Sequence, residues 1–79
     1  MSKEQVIATW VAFMISATAK RYQLSNEGVT ELVKEYDLLA FLIDNYEYLH
    51  YYDNDFITED VMKYIAERGG SLNELSRAS

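Results

Sequence analysis

The sequence predicts an all-α fold, a small orthogonal four-helix bundle built around a central third helix. Three observations predict it. The 79 residues include no Pro and three Gly, so little in the chain interrupts a helix. Hydrophobic residues make up 49%, too many for a chain that stays unfolded. Those residues recur at spacings of three and four, the period of a helix buried along one side. One domain over residues 1–70 is expected, followed by a tail, 71–79, that frays or docks weakly through Leu72 and Leu75.

The first helix is expected over Lys3–Tyr22. Ser2 followed by Gln5 has the spacing of a capping box. Val6, Trp10, Phe13, Met14 and Ala17 share a face, with Ile7 and Val11 widening it, and that face is expected to be buried. A second face carries Ala8, Ala12 and Ala19, flanked by Ile15 and Ser16, and its small side chains let another helix approach closely. An internal contact is the first expectation there, a subunit contact the alternative.

Ser25 is expected to cap a second helix, Asn26–Tyr36, with Val29, Leu32, Val33 and Tyr36 buried. Asp37 follows as the cap of a third, Leu38–Tyr52. Almost no linker separates the two, so the chain turns sharply at a residue type that tolerates left-handed backbone. The third helix is apolar around most of its circumference, which predicts that several others touch it. Asp53-Asn54-Asp55 reads as a turn and Phe56-Ile57 as a short extended piece. Thr58 is expected to cap a fourth helix with Glu59 and Asp60 in its first turn. Val61, Tyr64, Ile65 and the stem of Arg68 form its buried face, and Gly69-Gly70 ends it.

Composition excludes several functions. The chain has no Cys and one His, which removes thiolate chemistry and a structural zinc site. No metal or other cofactor is expected. The net charge is −6, the wrong sign for unspecific nucleic-acid binding. The uncharged run Val6–Ala19 spans 14 residues, short of the ~20 a membrane span needs. Glu4 stands where a secretory signal carries positive charge, so a cytoplasmic protein is expected.

The stretch Asn45–Asp55 holds four Tyr, the only His and three carboxylates. Tyr46, Tyr48, Leu49 and Tyr52 are expected to point toward the core with their hydroxyls at its rim. Tyr51 should be exposed. His50 lacks a nucleophile to activate, and a hydrogen bond to the fourth helix or to the Asp53–Asp55 turn is its expected role. Asn45 lies inside the apolar arc and needs a hydrogen bond there. Asp53 and Asp55 begin like a calcium loop, but Ile57, Thr58 and Tyr64 then occupy positions that need oxygen, Gly and Glu.

Charge is distributed unevenly. Between Lys34 and Lys63 there are eight carboxylates and no Lys or Arg. An acidic face of this kind steers a basic protein partner, although it also arises as an ordinary solvated surface. Asp44, Glu47, Tyr51, Asp53, Asp55 and Glu59 are the candidate partner-binding residues.

Two segments, "FLIDNYEYLH" at 41–50 and "ITEDVMKYI" at 57–65, resemble a family of small bacterial proteins catalogued as domain of unknown function thirty-seven ninety-one. The family commonly has Gly at the corner where Tyr36 and Asp37 stand here. The resemblance implies a helical fold and genes often placed beside larger proteins, some similar to ADP-ribosyltransferases. It therefore implies an antitoxin-type protein that binds a cognate partner, such as a toxin, and it supplies no catalytic residues. A non-enzymatic interaction module is the expected function. The alternatives are a homo-oligomeric module, a homodimer sealed by the Ala8–Ala12–Ala19 face, and a DNA-binding regulator, for which the chain lacks a basic stripe.

Overall fold

The computed structural model describes residues 1–70. The expected tail, with Leu72 and Leu75, lies outside the described residues. Those described form five helices: α1, Lys3–Tyr22; α2, Asn26–Lys34; α3, Leu38–Asp44; α4, Tyr46–Leu49; and α5, Asn54–Glu67. The fold is all-α, and the expected third helix is divided at Asn45.

Helix α1 has the expected bounds and capping box: Gln5 N–H donates to Ser2 Oγ at 3.2 Å, and Ser2 N–H to Gln5 Oε1 at 3.0 Å. Gln23 closes it in left-handed backbone, φ 54°. The buried face is rotated from the expected one. Val11, Met14 and Thr18 are buried, whereas Val6 is 39% and Phe13 50% exposed. Thr18 can occupy the core because its hydroxyl donates to Met14 O at 2.8 Å, leaving no unsatisfied polar atom.

Ser25 caps α2 as expected, accepting from Gly28 N–H at 3.0 Å. The helix stops at Lys34, short of Tyr36. Asp37 then stands at the expected N-cap position of α3 in left-handed backbone, φ 52°, but makes no side-chain cap bond, so its role there is conformational. Tyr64 holds this corner from α5, its hydroxyl donating to Tyr36 O.

Asn45, at φ −106° and ψ 11°, ends α3 and starts α4. Its side-chain amide donates to Phe41 O at 2.8 Å, a bond back to the preceding turn of the kind that bends or ends helices. The hydrogen bond expected of Asn45 is therefore local.

Helix α5 begins four residues before the expected cap. Asp53 is the N-cap, accepting from Phe56 N–H at 2.9 Å. Phe56 and Ile57 are helical, and Thr58 is buried inside the second turn with its hydroxyl donating to Asn54 O at 2.8 Å. Ile57, Thr58, Val61 and Ile65 give the helix one continuous buried stripe. Gly69 follows at φ +84°, the left-handed exit expected of a C-cap glycine. Gly70 lies against the corner, where an added Cβ would sit 2.5 Å from both Ile65 Cγ2 and the Tyr36 hydroxyl.

The core joins Val11 and Met14 to Leu32, Leu38, Leu42, Leu49, Ile57, Val61 and Ile65. Helix α1 packs on α5 and α3, and α3 packs on α2 and α4.

Candidate protein-interaction site

Helix α4 is one turn long, and among its residues only Leu49 is buried. Around that anchor the chain projects aromatic rings outward. Tyr48 is 53%, Tyr51 78% and Tyr52 44% exposed. Tyr48 and Tyr52 were expected to face the core, and the break at Asn45 explains the difference: a wheel drawn through α3 does not carry its phase into α4. Tyr51 is exposed as expected.

The rings form two connected groups. Trp10 of α1 meets Tyr46 edge-on at 5.1 Å, Tyr46 stacks on His50 at 4.4 Å, and His50 touches Tyr51 at 4.1 Å. On the other side Tyr48 meets Tyr52 at 5.2 Å, and Tyr52 stacks on Phe56 at 4.1 Å. A hydrogen bond with Tyr52 is the first cause raising the Tyr48 phenol above its ordinary range. His50 Nδ1 lies 2.7 Å from Tyr46 O, so its hydrogen bond runs to its own helix rather than to α5 or the 53–55 turn.

The acidic residues have divided roles. Asp44 is exposed and forms no ion pair among the described residues. Glu47 lies 2.6 Å from Lys3 Nζ, joining α4 to the start of α1. Their hydrogen bond lowers the Glu47 carboxyl and raises the Lys3 ammonium from their ordinary values. Asp53 caps α5. Asp55 and Glu59 converge on Arg21, with carboxylate oxygens 3.6 and 3.4 Å from its guanidinium. Arg21 also donates to Asp55 O and Thr58 Oγ1, each at 2.8 Å, tying the end of α1 to the first turns of α5. Thus Glu47, Asp55 and Glu59 face basic partners of their own chain, which weakens the field they present outward.

An apolar surface that sequence reasoning did not place lies between α1 and α3. Leu39 is 41% and Ile43 51% exposed. With Ile7, Ala8, Ala12 and Ile15 they line a groove of about 410 Å³. Among the described residues, the expected small-residue face is thus open along Ala8 and Ala12, with no helix laid over it. A depression of about 380 Å³ between α1 and α5 holds Phe13, Lys20, Arg21, Asp55 and Thr58.

Among the described residues, no three His, Asp or Glu side chains converge so as to hold a metal ion. No described helix is long and apolar enough to cross a membrane.

Among the described residues, the fold is all-helical and its surface exposes tyrosine rings, one apolar groove and a depression with charged walls. The chain belongs to the family described as "Protein of unknown function (DUF3791)", whose model matches residues 9–68. No curated protein and no solved structure matched it.

Proposed function

We propose that the protein is a non-catalytic binding module that engages a cognate protein through the tyrosine-rich surface of α4 and the start of α5. The observation that carries this reading is the exposure of Tyr51, at 78%, beside Tyr48 and Tyr52, each close to half exposed. Tyrosines lose little side-chain entropy on binding and dominate the centres of protein interfaces. Asp44 and the acids from Glu47 to Glu59 supply the rim, where they steer a basic partner and set orientation. In this reading α3 and α4 are the central element of an orthogonal bundle, and its tight connections hold the rings in place.

The partner, on the pattern that the family resemblance implies, is the product of a neighbouring gene. The complex restrains that protein in the cytoplasm as an antitoxin restrains a toxin. The test is calorimetric titration of the neighbouring-gene product with the full chain. Tyr51→Ala is expected to weaken binding by about tenfold or more. Added salt is expected to slow association more than it speeds dissociation. A neighbouring-gene product that does not bind, or a Tyr51→Ala chain that binds like the parent, refutes the reading.

A further inference from the structure

The carboxylates between Lys34 and Lys63 differ in burial as well as in pairing. Of the eight, seven are exposed and Asp60 alone is half-buried. Glu47, Asp55 and Glu59 have basic partners in the same chain, and Asp53 caps α5. The Asp60 carboxylate has no hydrogen bond and no ion pair among the described residues, not even with Lys63 three positions on. A carboxylate offers acceptor sites only, and one drawn partly out of water without a donor is poised for a cation.

Aromatic rings adjoin this carboxylate. Asp60 follows Phe56 by four residues on α5, which places the two one turn apart on one face. Phe56 in turn belongs to the ring group: Tyr48 meets it at 6.5 Å with planes at 72°, and Tyr52 stacks on it at 4.1 Å with planes at 18°. Tyr48 is thereby brought toward Asp60. The hydrogen bond with Tyr52 comes first among the causes that raise the Tyr48 phenol, and the Asp60 charge adds to it. A ring face attracts a cation and a carboxylate pairs with one, so these neighbours recognise the same charge in two ways. The molecule makes the ring half of this contact already: the Arg68 guanidinium stands 3.7 Å above the Tyr64 ring.

We infer that Tyr48 and Asp60 form a receptor for an arginine side chain of the partner protein, the guanidinium lying on the exposed Tyr48 ring and donating to the Asp60 carboxylate. Guanidinium suits these two groups better than ammonium does. It is flat, stacks on a ring, keeps its charge and presents paired N–H groups to a carboxylate. This receptor rests on the tyrosine surface proposed for binding, and it adds Asp60 to the residues that engage the partner. The acids then divide their work. Paired ones tie helices of the same chain together, and the half-buried, unpaired one reads the partner.

Nuclear magnetic resonance titration of the full chain with N-acetyl-arginine amide tests the receptor without the partner. Saturable shifts are expected at Tyr48 and Asp60, with an affinity in the millimolar range. The citrulline analogue has the same shape and no charge, and it should bind at least about tenfold more weakly. The lysine analogue should also bind more weakly than the arginine compound. Asp60→Asn keeps the shape of the side chain and should weaken the arginine compound about tenfold. Tyr48→Ala should weaken it about threefold. The thermal transition should stay cooperative in both variants. Shifts absent from Tyr48 and Asp60, or citrulline or lysine binding as tight as arginine binding, overturn the inference. So does an Asp60→Asn chain that binds like the parent. The neighbouring-gene product separates this receptor from the wider reading. If that protein loses affinity for the Tyr51→Ala chain but not for the Asp60→Asn chain, the tyrosine surface stands and the arginine receptor falls.

Discussion

Helix α5 and the α3–α4 stretch are both rich in apolar side chains, yet they use them differently. In α5 the stripe Ile57, Val61 and Ile65 is at most 1% exposed, and Phe56, Met62 and Tyr64 pack partly against the same core. In α3–α4 the residues Leu38, Leu42 and Leu49 are buried to 0%, while Leu39, Ile43, Tyr48 and Tyr52 are 41–53% exposed. One helix has as much apolar surface as its neighbours can cover. The other has more, and the excess is sorted to two sides: aliphatic toward the α1 groove, aromatic around α4. In a 79-residue chain with little core to spare, this uncovered apolar surface is what the proposed binding role rests on.

The sharpest way to break this contrast lies within α3 itself. Leu42 and Ile43 are adjacent and similar in size, but one is 0% and the other 51% exposed. Leu42→Ala is expected to destabilise the protein by about 2–5 kcal/mol, enough to leave a small domain largely unfolded. Ile43→Ala should cost under ~1 kcal/mol in the isolated chain. Urea unfolding of the two variants checks this. Equal losses would mean that Ile43 belongs to the core and that the groove is closed.

A second contrast concerns how the two regions begin. Asp53 starts α5 by accepting Phe56 N–H, whereas Asp37 precedes α3 in left-handed backbone without a side-chain cap bond. The same residue type thus does two different jobs. Asp53→Ala should cost about 1 kcal/mol through the lost cap. Asp37→Gly should stabilise by ~0.5–1 kcal/mol, because Gly occupies left-handed backbone without the Cβ penalty. Chemical denaturation gives both signs. A loss for Asp37→Gly would show that its carboxylate matters more than its backbone.

These particulars also show what the sequence could reveal. The bounds of α1, the Ser2–Gln5 box, the Ser25 cap, the left-handed turn at Asp37 and the Gly69 exit are local, decided within four residues by backbone hydrogen bonds or dihedral freedom. Each was legible. The buried side of α1 was not, because apolar residues surround most of that helix and a threonine, Thr18, takes a core position once its hydroxyl is satisfied. The start of α5 was misread because Thr58-Glu59-Asp60 and Asp53-Asn54-Asp55 are both good helix starts. Only the burial of Ile57 and Thr58 beneath α1 decides between them. Within the candidate site, the exposure of Tyr51 was legible from the wheel. The exposure of Tyr48 and Tyr52 depended on the turn at Asn45, which a single amide-to-carbonyl bond creates. The pairing of Glu47 with Lys3 links residues far apart in sequence and has no local signature.

That last pair offers the smallest effect and sharpens the contrast from the α4 side. Helix α4 is held by Leu49, by its ring contacts and by the Lys3–Glu47 pair. The Glu47 carboxyl is lowered from its ordinary value of 4.5, so its contribution is present above that pH and lost as pH falls through the folded value. The Lys3 ammonium is raised from 10.5, so its contribution is present below that pH and lost as pH rises through the folded value. The pair therefore acts between these limits. Both side chains are about 70% exposed, which lets water and salt screen the attraction. Glu47→Gln is expected to lower the thermal midpoint slightly at neutral pH and low salt. The difference should vanish in strong acid and in high salt. A large, salt-resistant drop would instead mean that α4 hangs on this ion pair and not on Leu49, and the rings of the proposed binding surface would then be ordered by a charge rather than by the core.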